Sequence, residues 1–225
     1  MTTDTPLKIT EKSRVKRVPK RAAYDRATVD AILDAGILCH VGYVIDGEPY
    51  VPAPCHWRHG NRVYWHGSAA SRMLRTVTGG VPVCLTVSHL DGIVLARSGF
   101  HHSVNFRGVT LFGQAVKIED PAEKLQALKD FTDRLTPGRW EELRETTDQE
   151  LKGTTVCAME IDEGSAKVRS GGPIDDEEDY DLDIWAGVVP VTTTIGAPIP
   201  DDRLKPGVAE PAYLRAISIG QAEKS

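Results

Sequence analysis

Short extended runs joined by tight turns constrain the fold of this chain most. The run ILCHVGYVI is followed by Asp46-Gly47 and EPYVPAPCHW, and a second turn at His59-Gly60-Asn61 leads into RVYWHG. Asp-Gly and Gly-Asn pairs favour hairpins, since their backbones tolerate the conformations that tight turns require. Residues 37–67 are therefore predicted to form an antiparallel meander of three strands.

Further strands are predicted downstream. VPVCLTVSHL, Asp91-Gly92 and IVLARS indicate another hairpin, FRGVTLFGQAVKI is a strand with Val109 and Leu111 on one face, and TTVCAMEIDEGSAKVRSG returns to sheet. Short antiparallel connections favour a barrel or sandwich over a parallel sheet with crossover helices. With 225 residues, 40% of them hydrophobic, one mainly β (α+β) domain with tails is the expected organisation.

Helical patterns flank these strands. YDRATVDAILDAG predicts a helix capped by Asp25 and stopped by Gly36, with three residues toward the core. ASRMLRTVTGG predicts one or two helical turns, and Asp120-Pro121 begins the helix AEKLQALKDFTDRL. A further helix is expected near Thr136-Pro137. In the helix that begins after Asp25, the positions expected to face the core are Ala31, Ile32 and Ala35. The helix expected near Thr136-Pro137 includes Trp140 and Leu143.

Charge is distributed unevenly along the chain. Residues 8–26 contain eight basic residues and two acids, whereas DDEEDYDLD places seven acids in nine residues. The basic stretch is interpreted as a solvated arm or as an arm that lies across a partner subunit or polyanion. The acidic stretch is expected to be a solvated loop. The predicted organisation is a flexible arm at 1–20, a domain at 21–195 and a Pro-rich irregular tail at 196–225.

Several functional classes are disfavoured by composition. The formal charge of −5 argues against nucleic acid as the main partner. No apolar run approaches the roughly 20 residues of a membrane span, and MTTDTPLKIT lacks a secretory apolar stretch, so we expect a cytoplasmic protein. The four cysteines form no CxxC pair and are expected to be structural thiols, and His56 and His59 lack an evident third ligand, so no metal site is predicted.

Two polar clusters stand out. In WHGSAASRM, Gly67 and Ser68 end a strand, and Ser71 and Arg72 follow; this arrangement is either a nest for an anion or an ordinary surface turn. In GFHHSVNFRGV, donors crowd the start of an apolar strand, as expected for a bound polar ligand or for a solvent-exposed hairpin end. Both clusters together suit an aromatic ligand with a phosphate tail.

The order PCHW, YWHGSxxSRM, FHHSVNFRGVxxFG, IWAGVVP resembles the FMN-binding split β-barrel proteins related to pyridoxamine 5′-phosphate oxidase, in the flavin-nucleotide-binding branch that includes proteins implicated in nitroimidazole reduction. The resemblance covers about residues 17–195. It implies an antiparallel six-stranded split β-barrel with flanking helices. It also implies a homodimer with FMN sites at the subunit interface.

The resemblance assigns cofactor-binding residues position by position. One segment runs along the isoalloxazine, a second lies beside the ribityl and phosphate, and Met73 replaces a phosphate-binding lysine of the oxidase. Polar residues of the second cluster lie near the flavin, and a C-terminal tryptophan closes its site. The assigned residues are Ala53, Pro54, Cys55, His56, His66, Gly67, Ser68, Ser71, Arg72, Met73, Ser103, Asn105, Arg107 and Trp185.

The implied function is that of an FMN-dependent oxidoreductase acting on a small-molecule substrate, with His66 and Arg107 as candidate catalytic residues that polarise flavin or substrate. The arginine and histidine that bind the substrate phosphate in the oxidase are not recognisable after Trp185, which argues against pyridoxamine phosphate as substrate. Two alternatives stay open. One is a non-catalytic FMN carrier or sensor, and the other is a haem-binding split barrel using His56, His101 or His102.

Overall fold

The computed structural model describes residues 5–219. Its helices are α1 (Arg26–Ala35), α2 (Arg72–Val77), α3 (Pro121–Leu135) and α4 (Asp148–Gly153). Its strands are β1 (Ala22–Ala23), β2 (His40–Ile45), β3 (Glu48–Tyr50), β4 (His56–His59), β5 (Arg62–Ser68), β6 (Pro82–Leu95), β7 (Ser103–Gln114), β8 (Val116–Lys117), β9 (Thr154–Glu160), β10 (Glu163–Arg169) and β11 (Gly187–Pro190).

The strands form two antiparallel sheets. A seven-stranded sheet has the order β1-β10-β7-β6-β2-β3, with β11 also paired to β6, and a four-stranded sheet has the order β4-β5-β9-β8. The predicted class, mainly antiparallel β with flanking helices, is confirmed. Short strands such as β1 and β8, of two residues each, add to the six that were predicted.

The predicted three-stranded meander is wrong. The turns form as expected, with positive φ at Asp46, Gly47 and Gly60, but β2–β3 and β4–β5 are separate hairpins in different sheets. The connection between them contains Pro52 and Pro54, which cannot donate to a ladder. The chain therefore leaves one sheet and enters the other there.

The hairpin predicted at Asp91-Gly92 is also wrong, because β6 runs continuously through it with only a shift in register between Leu90 and Gly92. Strand β11 packs against this point, where a Cβ on Gly92 would lie 3.0 Å from Val188 Cγ1. Glycine therefore serves close strand packing here rather than a turn.

The helix caps confirm the local predictions in part. Asp25 caps α1 by accepting from Thr28 N, and Asp120 caps α3 by accepting from Glu123 N. Ala31 is exposed, whereas Ile32 and Ala35 are buried as predicted. The helix expected from Thr136 is only a 3-10 turn at 140–142, and α4 begins later, where Thr147 forms a capping box.

Alternation along β5 divides the interior into two clusters. Val63 and Trp65 face the main core, which is shared with α1, α2 and the seven-stranded sheet. Tyr64 belongs to a second cluster beneath α3. The side of β5 on which a residue lies therefore determines whether it meets the main core or α3.

Both charged segments contact their own chain. In the arm, Lys8 pairs with Asp162 at 2.8 Å and Lys12 with Glu163 at 3.3 Å. The acidic segment was expected to be a solvated loop, and this prediction is wrong at Asp175. Its carboxylate is buried and binds Arg97 at 3.0 Å. Parts of the predicted arm (1–4) and tail (220–225) lie outside the described residues. None of the helices within 5–219 has the length and apolar character needed to cross a bilayer.

Candidate functional site

Gly67 lets α2 pack against the end of β5. A Cβ at this position would lie 3.2 Å from Leu74 Cδ1, closer than nearly all such contacts. Leu74 is itself buried in the main core. The glycine therefore fixes where α2 starts relative to the strand, and with it the positions of the polar residues between them.

Ser68, Ser71 and Arg72 come together at this junction. Ala70 N donates to Ser68 Oγ at 3.2 Å, Ser71 N donates to the Ser68 carbonyl at 2.8 Å, and the Ser71 hydroxyl caps α2. The Arg72 guanidinium carbon lies 4.5 Å from the centre of the Tyr50 ring. Within residues 5–219 it has no carboxylate partner. A permanent, unneutralised cation beside two hydroxyls can bind an anion.

The neighbouring Met73 differs from these polar residues, because its side chain packs against the main core. It is therefore placed beside the junction but supplies no charge to it. Arg72 is the cation that the start of α2 contributes there.

Residues 53–56 run beside the segment that precedes β2. Cys39 N donates to the Pro54 carbonyl at 3.1 Å, and His56 N donates to the Ile37 carbonyl at 2.7 Å. The His56 ring is buried, with Nε2 donating to the Leu33 carbonyl at 3.0 Å. Burial lowers the pKa of His56 to about 4. This imidazole therefore stays neutral near pH 7 and holds the end of α1. Ala53 and Cys55 lie in the same extended stretch.

His66 lies on the α3 side of β5. Its ring centre is 4.6 Å from that of Phe131 and 5.6 Å from that of Trp57. Nδ1 is buried without a hydrogen-bond partner in the described part of the chain. Burial lowers the pKa of His66, so the imidazole is uncharged near neutral pH. A neutral imidazole in aromatic surroundings can accept a proton or coordinate a metal ion.

Arg107 lies on β7, in the other sheet, and forms a bidentate ion pair with Asp91. The two nitrogen–oxygen distances are 2.8 and 2.9 Å, and the Asp91 carboxylate raises the pKa of Arg107. Arg107 was expected to present its positive charge to a flavin, but the Asp91 carboxylate neutralises that charge within the chain. A ligand that binds Arg107 would meet an ion pair rather than a lone cation.

Ser103 and Asn105 precede Arg107 on the same face of β7. Asn105 is buried; its amide nitrogen donates to the Gly171 carbonyl at 3.1 Å, and its oxygen accepts from Arg169. Asn105 therefore joins β7 to the end of β10. Its side-chain groups are already engaged in the chain.

Trp185 precedes β11 and is 67% exposed. A Cβ on Gly187 would lie 2.9 Å from the indole, so the glycine gives the ring its space. The structure thus places the predicted site residues in four regions. These are the β5–α2 junction, the α3 side of β5, the stretch 53–56 beside the end of α1, and the β6–β7–β11 part of the larger sheet.

Sequence reasoning missed the partners of these residues. Tyr50 contacts Arg72, Asp91 neutralises Arg107, and Phe131 encloses His66. Asp91 carried a misleading signal, because Asp-Gly is typical of a turn. The other two offered no local signal, since each contact joins separate elements.

Comparison with known proteins places the chain among relatives of the same fold. A family model described as pyridoxamine 5′-phosphate oxidase matches residues 25–168. The flavocytochrome Anf3 from Azotobacter vinelandii is 45% identical, with a TM-score of 0.90, covering 94% of this chain and 98% of that one. The FAD and heme binding protein from Mycobacterium smegmatis is 38% identical, with a TM-score of 0.84, covering 88% and 97%.

A third structure, from Bacteroides thetaiotaomicron, is named for 5-nitroimidazole antibiotic resistance. It is 22% identical, with a TM-score of 0.54, and covers 65% of this chain and 86% of that one. It supports the fold alone. Among curated proteins no match is found.

Proposed function

Because the chain belongs to the pyridoxamine 5′-phosphate oxidase family, as its motifs predicted, we propose that it binds a flavin nucleotide and takes part in redox chemistry. The names of the two relatives above 35% identity support this proposal: one is a flavocytochrome, and the other binds FAD and heme. When bound, a flavin supplies hydride and single-electron transfer. The protein supplies binding, orientation and the surrounding charges.

The proposal rests mainly on the side chains that meet at the β5–α2 junction. Arg72 has no carboxylate partner within residues 5–219 and lies at a turn that also holds Ser68 and Ser71. These groups suit a phosphate, since guanidinium and hydroxyl donors bind its oxygens. We therefore assign them to the flavin phosphate, with Gly67 and Met73 as their supports and residues 53–56 along the ring system.

FMN is the flavin we propose, because this junction offers one compact site for a single phosphate group. The Mycobacterium smegmatis relative is named for FAD, so the identity of the flavin needs its own test. Flavin released by heat and separated by chromatography distinguishes FMN from FAD. Release of FAD alone from freshly purified protein would show that FMN is not the bound flavin.

Turnover on a small substrate is assigned to His66 and Arg107, with Ser103, Asn105 and Trp185 shaping the flavin surroundings. His66 is a neutral imidazole, able to accept a proton, and Arg107 with Asp91 forms a fixed dipole. A carrier or sensor would bind flavin equally well without turnover. Stopped-flow reduction by NAD(P)H followed by reoxidation with candidate acceptors separates the two, since a carrier reoxidises no faster than free flavin.

Haem is a second ligand favoured by the names of both relatives. Among the described histidines, His56 and His102 already contact backbone carbonyls and His101 contacts Asp176. As an alternative to its role in turnover, we propose His66 as the iron ligand, because its ring has no hydrogen-bond partner in the described residues and imidazole nitrogen is a common haem ligand. Loss of a Soret band in His66→Ala but not in His102→Ala would support this assignment, and the reverse pattern would reject it.

We also propose a homodimer. Ile93 is paired across strands with Val104 and Val189, and all three are exposed, as is Trp185. An apolar sheet face of this kind is typical of a subunit interface. A second copy is the partner we assign, and light scattering of Ile93→Asp against the wild type tests it. An unchanged mass in the variant would reject this face as the interface.

The phosphate assignment is tested with Arg72→Ala. Flavin affinity should fall by about 1.5–3 kcal/mol, the range for hydrogen bonds to a charged group. Arg75→Ala is the matched control, because Arg75 lies one turn later on the same short helix. Isothermal titration of flavin into flavin-free protein measures both variants. Equal affinities for Arg72→Ala and the wild type would place the phosphate elsewhere.

A further inference from the structure

A second cationic cavity borders the same β5–α2 region but is lined by Ala69, Leu74 and Arg75 rather than by Arg72. It has a volume of about 430 Å³ and is bounded by α2, β8, β9, α3 and α4. Four of its lining residues are cations, and three others carry hydroxyl groups. The cations are Arg75, Lys117, Lys124 and Lys152, and the hydroxyl residues are Thr78, Thr154 and Thr155.

The concentration of positive charge is unusual for this chain. The protein as a whole carries a formal charge of −5, yet the cavity draws one cation from each of four elements. In the part of the chain that the structure describes, only Lys117 of these four is in an ion pair, with the exposed Glu119 at 2.8 Å. The cavity therefore contains more positive charge than its neighbours balance.

Lys124 lies close enough to Lys117 for the two positive charges to interact. Its Nζ donates to the Leu151 carbonyl at 2.5 Å, at the end of α4. Burial lowers the pKa of Lys124, and the nearby charge of Lys117 lowers it further. An anion in the cavity would offset this repulsion, because opposite charges at short range favour the ionised form of each group.

The walls that carry these cations are held in place by hydrogen bonds to backbone carbonyls. Ala69 N donates to the Gly153 carbonyl at 2.8 Å, which joins the β5–α2 turn to α4. Thr154 Oγ1 donates to the Glu150 carbonyl at 2.9 Å, and Thr155 is buried at the start of β9. The cations therefore lie on elements that are bonded to one another rather than on one loop.

We propose that this cavity binds a phosphate-bearing anion of the diphosphate class, at a site to which Arg72 does not contribute. Four cations suit an anion with more than one negative charge, since each charge-assisted bond strengthens with ligand charge. The hydroxyl protons of Thr78 and Thr154 already go to the Leu74 and Glu150 carbonyls, so the cations supply the binding. The volume exceeds what one inorganic phosphate fills, so a diphosphate or the diphosphate of a larger metabolite fits its size. The site stands whether or not the flavin assignment holds.

Inorganic pyrophosphate is the probe, titrated calorimetrically at low ionic strength into the protein as purified. Binding should weaken by at least about tenfold in Arg75→Gln/Lys152→Gln, since two charge-assisted contacts are removed. Both side chains are exposed, so the fold should persist. Arg14→Gln/Lys20→Gln removes the same charge from the exposed arm and should leave the affinity unchanged.

Arg72→Ala distinguishes the two anion sites. It should lower flavin affinity and leave pyrophosphate affinity unchanged, whereas Arg75→Gln/Lys152→Gln should do the opposite. Three results would overturn the proposal: no binding of pyrophosphate to the wild type, equal weakening by both double variants, or displacement of bound flavin by pyrophosphate. The last would make the cavity part of the flavin site.

Discussion

Acidification should destabilise this protein through one buried histidine. His56 Nε2 donates to the Leu33 carbonyl, which fixes the proton on Nε2 and leaves Nδ1 bare. Nδ1 is buried without a partner in the described residues. A second proton on this ring would therefore put an N–H and a full charge at a buried position where no acceptor of the described residues meets them.

The size of the effect follows from the pKa of His56. Burial lowers it from 6.5 to about 4, which corresponds to about 3 kcal/mol at 1.36 kcal/mol per pKa unit. As pH falls, the unfolded chain takes up the proton first, so the free energy of unfolding decreases. The contribution is fully present above pH 6.5 and is lost as pH falls toward about 4. Between pH 7 and pH 5 the loss is about 2 kcal/mol.

Urea unfolding of the wild type and His56→Gln across this range measures it. Glutamine keeps an N–H for the Leu33 carbonyl but does not titrate, so the wild type should lose about 2 kcal/mol more than the variant between pH 7 and pH 5. His102→Gln, in which the removed ring is exposed, should follow the wild type. If His56→Gln and the wild type lose the same free energy of unfolding between pH 7 and pH 5, protonation of the buried imidazole is not the cause of the loss.

Two further predictions test the packing that positions the site. Gly164→Ala should destabilise the fold by about 1–3 kcal/mol through overpacking, because its Cβ would lie 2.4 Å from the Thr110 carbonyl oxygen. Gly172→Ala, with no heavy atom within 4 Å of the added Cβ, should be near neutral in the same urea titration, and similar midpoints for the two variants would contradict this packing. Asp120→Ala should lower the free energy of unfolding by about 1 kcal/mol through loss of the α3 cap; a loss no larger than that of the adjacent Glu119→Ala would show that the cap contributes little.

Local chemistry explains what was predictable in the fold. Asp46-Gly47 and Gly60 adopt positive φ in two-residue turns, and Asp25 and Asp120 cap helices that begin at the next residue. These features depend on neighbours within three or four positions. The sequence of a single segment is enough to predict them.

Features that depend on distant strands were not predictable in this way. Asp91-Gly92 lies within a continuous strand because β11, nearly a hundred residues later, pairs beside it and Arg107 binds the Asp91 carboxylate. The split of the expected meander depends on which sheet each hairpin joins. At Asp91-Gly92 the local preference of a turn dipeptide is therefore overridden by tertiary pairing.

In the candidate site, too, contacts between near neighbours in the sequence were predictable and contacts between separate elements were not. Ser68, Ser71 and Arg72 lie within five positions, so their convergence at the β5–α2 junction was visible in sequence. The contact of Arg72 with Tyr50 joins α2 to β3 and could not be anticipated. The same holds for the enclosure of His66 by α3.

Flavin binding measured side by side on the wild type and Arg72→Ala tests directly whether the chain binds flavin through the β5–α2 junction. Flavin-free protein is titrated with FMN while its fluorescence and visible absorption are recorded. We expect saturable binding by the wild type, with perturbed flavin bands, and affinity lower by about 1.5–3 kcal/mol in the variant. Wild-type protein that is purified colourless and leaves the flavin spectrum unchanged on titration would contradict this expectation.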